Sequence, residues 1–399
     1  MKNFRNGRFQ RTPVIGVLKV PNNQEYTDLS REKIECQPLF PGTMTIELDC
    51  SRLMLDACDE RKPIAELEKK YKEDLDRIVK NYLGQIDGML LLGDRFDVPP
   101  ELFGQEKHPE TSISPDPRRT LFVRALIRHS KEIQITPGLG ICGSMQQYSV
   151  LDGATMVQHV PDVTDGTIDH RQRERAHEII HPVDVYRTKH TGAFYGIVNP
   201  LARGETTDPL TIDTNSIHHQ AVCARDLPST LQLVGMAKDG TVEAVEAINL
   251  PWILVQFHPE LLKRLDRNGE RTLSDIDYRY NHYGDGRDMD YEGNILPDDP
   301  AYYANQRIIA DLITKAHTHC NKRISMEALE KLSHDAEIRS EGFTPSWVAR
   351  NSNPSFALER QFSGIHISNK EKSSIAGSWT SALDNQHLTP DITSCVQKG

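Results

Sequence analysis

A chain of 399 residues with 37% apolar content is long enough for one large α/β domain or two smaller ones, and its formal charge of −10 leaves no basic footprint for nucleic acid. The seven cysteines are scattered, odd in number and without a C-x-x-C pair, which argues against a disulfide framework or a zinc ribbon and for a reducing compartment. The basic N-terminal stretch lacks the apolar core of a signal peptide, and no run is long enough to cross a bilayer, so a cytoplasmic protein without membrane contact is expected.

In chain order, Pro13–Val20 reads as a buried first strand, and residues 21–63 as loop with one short helix and a strand at Thr43–Leu48. Ile64, Leu67, Tyr71, Leu75, Ile78 and Tyr82 recur three or four apart between charges, which predicts a single amphipathic helix over Ile64–Tyr82. Asp87–Gly93 is a second buried strand, followed by a loop rich in proline and acid and a helix from Pro117 to about Lys131. Ile133–Gln147 reads as strand, sharp turn and helix start, with Cys142 at the apex. Thr155–Val160, Glu178–Val185, Ala193–Val198 and Leu210–Ile217 are short strand candidates. Leu231–Ala237 and Val242–Ile248 flank an Asp239-Gly240 hairpin signal, and Pro251–Phe257 is a last buried strand. The polar stretch 261–300 reads as an inserted excursion. Tyr302–Ala316 is helical, Ser325–Ile338 is a separate short helix, and 345–399 has the composition of a disordered end. Alternating strands and helices point to an α/β fold, a mostly parallel central sheet with helices on both faces. The domain is expected to span 1–322, with an extension over 323–399.

Cys142 carries the chemistry. A strand-to-helix elbow strains the residue outward, aims a helix N-terminus at its thiol and offers backbone N–H groups to an oxyanion. A helix N-terminus also favours the thiolate, which is the attacking species. A cysteine nucleophile needs a base and a group that orients the base. His258 and Glu260, just after the last buried strand, can supply both, because open α/β sheets gather their sites at the carboxyl ends of strands. At the exit of the Asp87–Gly93 strand, the N–H of Gly93 or Asp94 would be one oxyanion donor and that of Gly143 the other. His218-His219, His177 and His181 match no standard ligand spacing, so no metal is expected.

Four blocks, L-L-L-G-D-R-F-D-V-P-P-E-L-F-G, G-I-C-G-S-M-Q, N-S-I-H-H-Q-A-V and L-V-Q-F-H-P-E, together resemble the class I glutamine amidotransferase-like superfamily, and within it the γ-glutamyl peptidase branch typified by γ-glutamyl-γ-aminobutyrate hydrolase. D-P-R-R-T-L at 116–121 supports the narrower match. The resemblance runs from about Pro13 to Glu260 and includes the helix near 302–316. It implies a flavodoxin-like amidotransferase fold, a Cys142–His258–Glu260 triad and a γ-glutamyl thioester, with no cofactor. It further implies that Gln146, His170 with Arg171, and Asn215, Ser216, His219 and Gln220 line the pocket of a small-molecule γ-glutamyl substrate. The elbow departs from the family's G-x-C-[RK]-G-x-Q: Gly143 and Ser144 replace the basic residue and the glycine, and Asp94-Arg95-Phe96 are bulkier than the usual glycine-rich loop. Alternatives are a glutaminase subunit passing ammonia to a separate synthase, or a non-catalytic interaction protein on the same scaffold. A protein partner could engage the insertion or the tail, and a homodimer is open.

Overall fold

Short apolar runs with β-branched residues become the strands of one nine-stranded sheet in the computed structural model. The structure describes residues 12–37, 40, 42–59, 62–132, 136–188, 193–199, 209–271 and 295–342, side chains to residue 328, and short strand pieces at 3–5, 8–10, 278–279 and 289–290. The chain divides into two units, Met1–Glu327 and Ala328–Gly399; the site lies in the first. The strands are β1 (Val14–Leu18), β2 (Met44–Leu48), β3 (Gly88–Leu91), β4 (Gly138–Ile141), β5 (His181–Val185), β6 (Leu210–Thr214), β7 (Leu231–Ala237), β8 (Val242–Ala247) and β9 (Trp252–Val255). They lie in the order 2-1-3-4-9-8-7-5-6. The neighbours β2-β1-β3-β4-β9 are parallel, and β9-β8-β7-β5-β6 are antiparallel. The expected parallel sheet thus forms one half of a mixed sheet. The antiparallel half includes the β7–β8 hairpin, which turns at Gly240 with φ +88°.

The helices are α1 (Gln24–Glu35), α2 (Ile64–Lys70), α3 (Lys72–Leu83), α4 (Arg118–Glu132), α5 (Gly143–Leu151), α6 (Ala193–Val198) and α7 (Pro300–Gly342). Alternation along the strands divides the core in two. Leu18, Met89, Leu91 and Leu254 face α3, α4 and α5 through residues such as Leu75, Phe122 and Tyr148. Ile15, Val17, Leu90, Ile141 and Val255 face the other way, against Phe194 of α6 and Ile308, Ile309, Leu312 and Ile313 of α7.

Several boundaries differ from expectation. The helix over Ile64–Tyr82 is broken at Tyr71, whose φ of −100° and ψ of 17° end α2 and begin α3. Residues 21–63 hold the full-length helix α1, capped by Asn23, whose Oδ1 accepts from the Tyr26 N–H at 3.2 Å. Ala193–Val198 is helix α6 rather than a strand; its Phe194, Tyr195 and Val198 are buried at helical spacing. Only Met156–Val157 of the 155–160 stretch is strand, paired with Ala221–Val222 apart from the main sheet. Ser325–Ile338 continues α7, because no Gly or Pro stands between Pro300 and Gly342 to stop it. The ends of the 261–300 excursion are tied down: Arg271 grips Asp299 with two 2.6 Å bonds, and Leu262 and Leu296 are buried. Most of 272–294 and the tail 345–399 lie outside the described residues.

Two features of β4 bear on the elbow it leads to. Gly138 lies opposite Trp252 of β9, and a Cβ there would fall 2.4 Å from the indole ring; at Gly140 it would fall 2.7 Å from Leu254. The L-G-L-G pattern therefore makes room for two large neighbours. A buried indole cannot move aside cheaply, so Gly138→Ala is expected to destabilise the protein by about 1–3 kcal/mol through overpacking. Urea unfolding checks this; a midpoint equal to that of the parent chain would contradict it.

Candidate active site

The elbow forms because β4 must turn sharply into α5. Cys142 has φ 50° and ψ −113°, the left-handed side of the map, where a non-glycine residue stores about 1–3 kcal/mol. The strain is held by neighbours: the Cys142 N–H donates to the Val255 carbonyl at 2.8 Å, and its carbonyl accepts from Gln146 N–H at 3.0 Å to start α5. The first of these bonds extends the β4–β9 ladder by one residue, past the Ile141–Val255 pair. Three residues beyond Val255 stands His258.

Sulfur, imidazole and carboxylate meet there. The Cys142 side chain lies close enough to the His258 ring to favour its charged form. On the other side of the ring, Nδ1 lies 2.7 Å from Glu260 Oε1. Cys142 and His258 are each only 6% exposed and Glu260 is fully buried. Burial works against charge on the ring, but Glu260 and Cys142 outweigh it and raise the His258 pKa to about 10. Asn215 fixes the backbone of the histidine from both directions: its Oδ1 accepts from His258 N–H and its Nδ2 donates to His258 O, each at 2.8 Å.

Gly93, on the exit of β3, borders both Cys142 and His258. A Cβ at this position would lie 3.0 Å from His258 Cε1 and 3.2 Å from Cys142 Cβ. Asp94 N–H is the next donor along, and a Cβ on Gly143 would sit 3.2 Å from that nitrogen. Gly93, Asp94 and Gly143 are therefore gathered around the Cys142 elbow. The glycine at 143 lets the 93–94 backbone approach the elbow closely.

Two contributors escaped the sequence reading. Tyr26, on α1, donates its hydroxyl to Glu260 Oε1 at 2.6 Å and lies 3.3 Å from His258 Nδ1. Burial and the adjacent Glu260 carboxylate raise the Tyr26 pKa well above the usual phenol range, so it stays a donor. Its position after the C-terminal end of the first strand was the available signal. Arg119, on α4, is the second. Its guanidinium donates to the Leu92 and Gly93 carbonyls at 2.7 and 2.6 Å and pairs with Asp94 at 2.7 Å. The elbow lacks the family's basic residue, yet a buried cation stands beside it, supplied by another helix. Ser144 adds a 2.6 Å bond from its hydroxyl to the Leu92 carbonyl.

The residues expected to line a substrate pocket are engaged with other protein groups. Gln146 donates to Gln220 O and Gln256 Oε1 at 3.0 and 3.1 Å. Asn215 holds His258 and the Ala176 carbonyl. Ser216 bonds His170 Nδ1 at 2.9 Å within a separate buried polar cluster. His219 Nε2 meets Asp97 at 3.0 Å, and Gln220 Nε2 meets Thr111 at 3.4 Å. Arg171 reaches outward to Glu110 at 3.7 Å. Next to the elbow is a crevice lined by Asp94, Phe96, Arg119, Gly143, Ser144 and Gln147.

Residues 71–260 match the Peptidase C26 family. The glutamine amidotransferase-like protein YvdE of Lactococcus lactis is 31% identical over 183 residues, 46% of this chain and 69% of that protein. The glutamine amidotransferase-like protein RP404 of Rickettsia prowazekii is 26% identical over 204 residues, 44% of this chain and 71% of that one. Anthranilate synthase component 2 of Mycobacterium tuberculosis is 28% identical over 150 residues, 37% of this chain and 51% of that protein. Among the described residues, no helix is long and apolar enough to cross a membrane.

The closeness of Gly93 to both groups makes it a test of the geometry. Gly93→Ala is expected to push the ring from the sulfur and lower the His258 pKa. Titration of the His258 ring by NMR checks this; an unchanged alkaline titration would contradict the packing.

Proposed function

The chain belongs to the Peptidase C26 family, within the class I glutamine amidotransferase-like superfamily, and from that premise we propose that it hydrolyses a γ-glutamyl amide through a γ-glutamyl thioester on Cys142. The activity of this kind is cysteine-dependent and acts on amide bonds. The single observation that supports the finer reading is the unbroken contact series Cys142–His258–Glu260–Tyr26 at the ends of β4 and β9 and the start of α1.

In this reading His258 already holds the proton taken from the Cys142 thiol, and the sulfur attacks the γ-carbonyl as the thiolate. The oxyanion of the tetrahedral intermediate faces the N–H groups of Gly93 or Asp94 and of Gly143. Collapse breaks the C–N bond, and the leaving amine takes the proton from the imidazolium. A water then attacks the thioester, with His258 as base, releasing glutamate and restoring the thiol. Glu260 stabilises the imidazolium and Tyr26 fixes the carboxylate. Gln146, His170, Asn215, Ser216, His219 and Gln220 act in this scheme by shaping the walls, while the crevice at Asp94, Arg119 and Gln147 receives the charged end of the glutamyl group. The bulk of Arg95 and Phe96, stacked on each other at 4.7 Å, narrows the mouth on the leaving-group side.

Amine release from a panel of γ-glutamyl amides tests this. The parent chain is expected to turn over at least one of them, and a diazo-ketone glutamine analogue is expected to leave one adduct, on Cys142; Cys142→Ala should lose both. Turnover undiminished in that variant would overturn the assignment. Ammonia release from glutamine only when a separate chain copurifies would instead favour a glutaminase subunit.

The raised His258 pKa gives a further expectation. Its proton is held below about pH 10 and lost above it, so the amine cannot be protonated on the alkaline side. Glu260→Gln removes the anion that holds the proton. The alkaline limb of the kcat/KM profile is expected to move to lower pH, with kcat falling about 100-fold or more. A limb that stays in place would remove Glu260 from the mechanism.

A further inference from the structure

Away from Cys142, the antiparallel half of the sheet encloses a second polar cluster. His181 opens β5, Glu243 lies on β8, His170 comes from the loop before β5, and His218 follows β6. All four are buried, Glu243 completely. One carboxylate oxygen, Glu243 Oε1, is 3.5 Å from each of three imidazole nitrogens: His170 Nδ1, His181 Nε2 and His218 Nε2. His181 Nε2, His218 Nε2 and both carboxylate oxygens are buried and have no hydrogen-bond partner.

The opposite nitrogens fix each ring. His218 Nδ1 donates to the Gln220 carbonyl at 3.1 Å and His181 Nδ1 to the Pro182 carbonyl at 3.0 Å. His170 Nε2 donates to Asp239 at 3.0 Å. Each ring therefore turns its other nitrogen inward, toward the same carboxylate. His170 Nδ1 alone has an inward partner, the Ser216 hydroxyl at 2.9 Å.

Protons do not satisfy this arrangement. A proton on the Glu243 carboxyl would serve only one of the unpartnered nitrogens of His181 and His218, and 3.5 Å is beyond the roughly 2.7–3.2 Å of a hydrogen bond. A cation satisfies them together. Tetrahedral ligands about 2.0–2.1 Å from an ion lie about 3.3–3.4 Å apart, close to the 3.5 Å between Glu243 Oε1 and each of the three nitrogens. Three imidazoles with one carboxylate suit Zn²⁺, and backbone carbonyls and a carboxylate on the outer ring nitrogens are the usual second layer of such a site.

We propose that His170, His181, His218 and Glu243 bind a single Zn²⁺ ion. The ligand atoms of His170, His218 and Glu243 already lie within 4.8 Å of one another, and His181 Nε2, outside that group, is 3.5 Å from Glu243 Oε1. The site is structural, closed by four protein ligands and distinct from the Cys142 centre. It pins the 215–220 segment, in which Asn215 clamps His258 and Gln220 receives Gln146. The expectation of no metal rested on spacing along the chain; here the ligands come from four separate segments.

The test uses the full-length chain, with metal measured by mass spectrometry as purified and by Co²⁺ absorption after chelation. The expected result is about one Zn²⁺ per chain and tetrahedral Co²⁺ bands, both retained in Cys142→Ala. His218→Ala should lose them. Because that variant could unfold, Asp239→Asn and Glu243→Gln accompany it, checked by circular dichroism. Asp239→Asn is expected to bind about 10–100-fold more weakly. Failure of the parent chain to hold or take up either ion would overturn the proposal. So would metal that persists in folded Glu243→Gln but is lost in Cys142→Ala.

Discussion

The parallel pairing of β4 with β9 is the constraint on which the site depends. Its register sets Ile141 beside Val255, and the Cys142 N–H carries the ladder one step further. From there both chains leave the sheet at the same end, one into α5 and one into the loop bearing His258. Groups 116 positions apart in sequence are thereby neighbours without a long flexible reach by either. The pairing in turn needs Gly138 and Gly140, since side chains there would collide with Trp252 and Leu254.

Around this pair the protein places charge with little water present. A buried imidazole ordinarily loses its proton; here Glu260, itself held by Tyr26, reverses that tendency. Arg119 performs a related task beneath the 92–94 backbone, where it ties two carbonyls and the Asp94 carboxylate to one cation. Fixing those carbonyls holds the 92–94 backbone in place against the elbow. The departures at 143 and 144 fit this arrangement, with Gly143 admitting Asp94 and the Ser144 hydroxyl adding a further tie to Leu92.

The segment 215–220 links the two buried polar regions. Asn215 faces His258, and Ser216 and His218 face the histidine–glutamate cluster. Alternating contacts of this kind suit an extended segment, whose side chains point to opposite sides in turn. A disturbance of the cluster would reach His258 through a single residue.

Much of this was legible in the chain itself. Buried apolar runs gave the strands, three-to-four spacing gave α3 and α7, and the Cys142 elbow with His258-Pro259-Glu260 named the side chains that the fold brings together. These signals are local: periodicity, turn chemistry and residue type survive without knowledge of neighbours. Tyr71 broke a helix whose pattern looked continuous, and α6 formed where a strand was read, because six residues are too few for periodicity to separate the two. What only the tertiary structure decided is which distant polar groups share a buried space. Tyr26, Arg119 and the histidines around Glu243 come from separate elements whose meeting depends on strand order and register, and spacing along one chain carries no record of either.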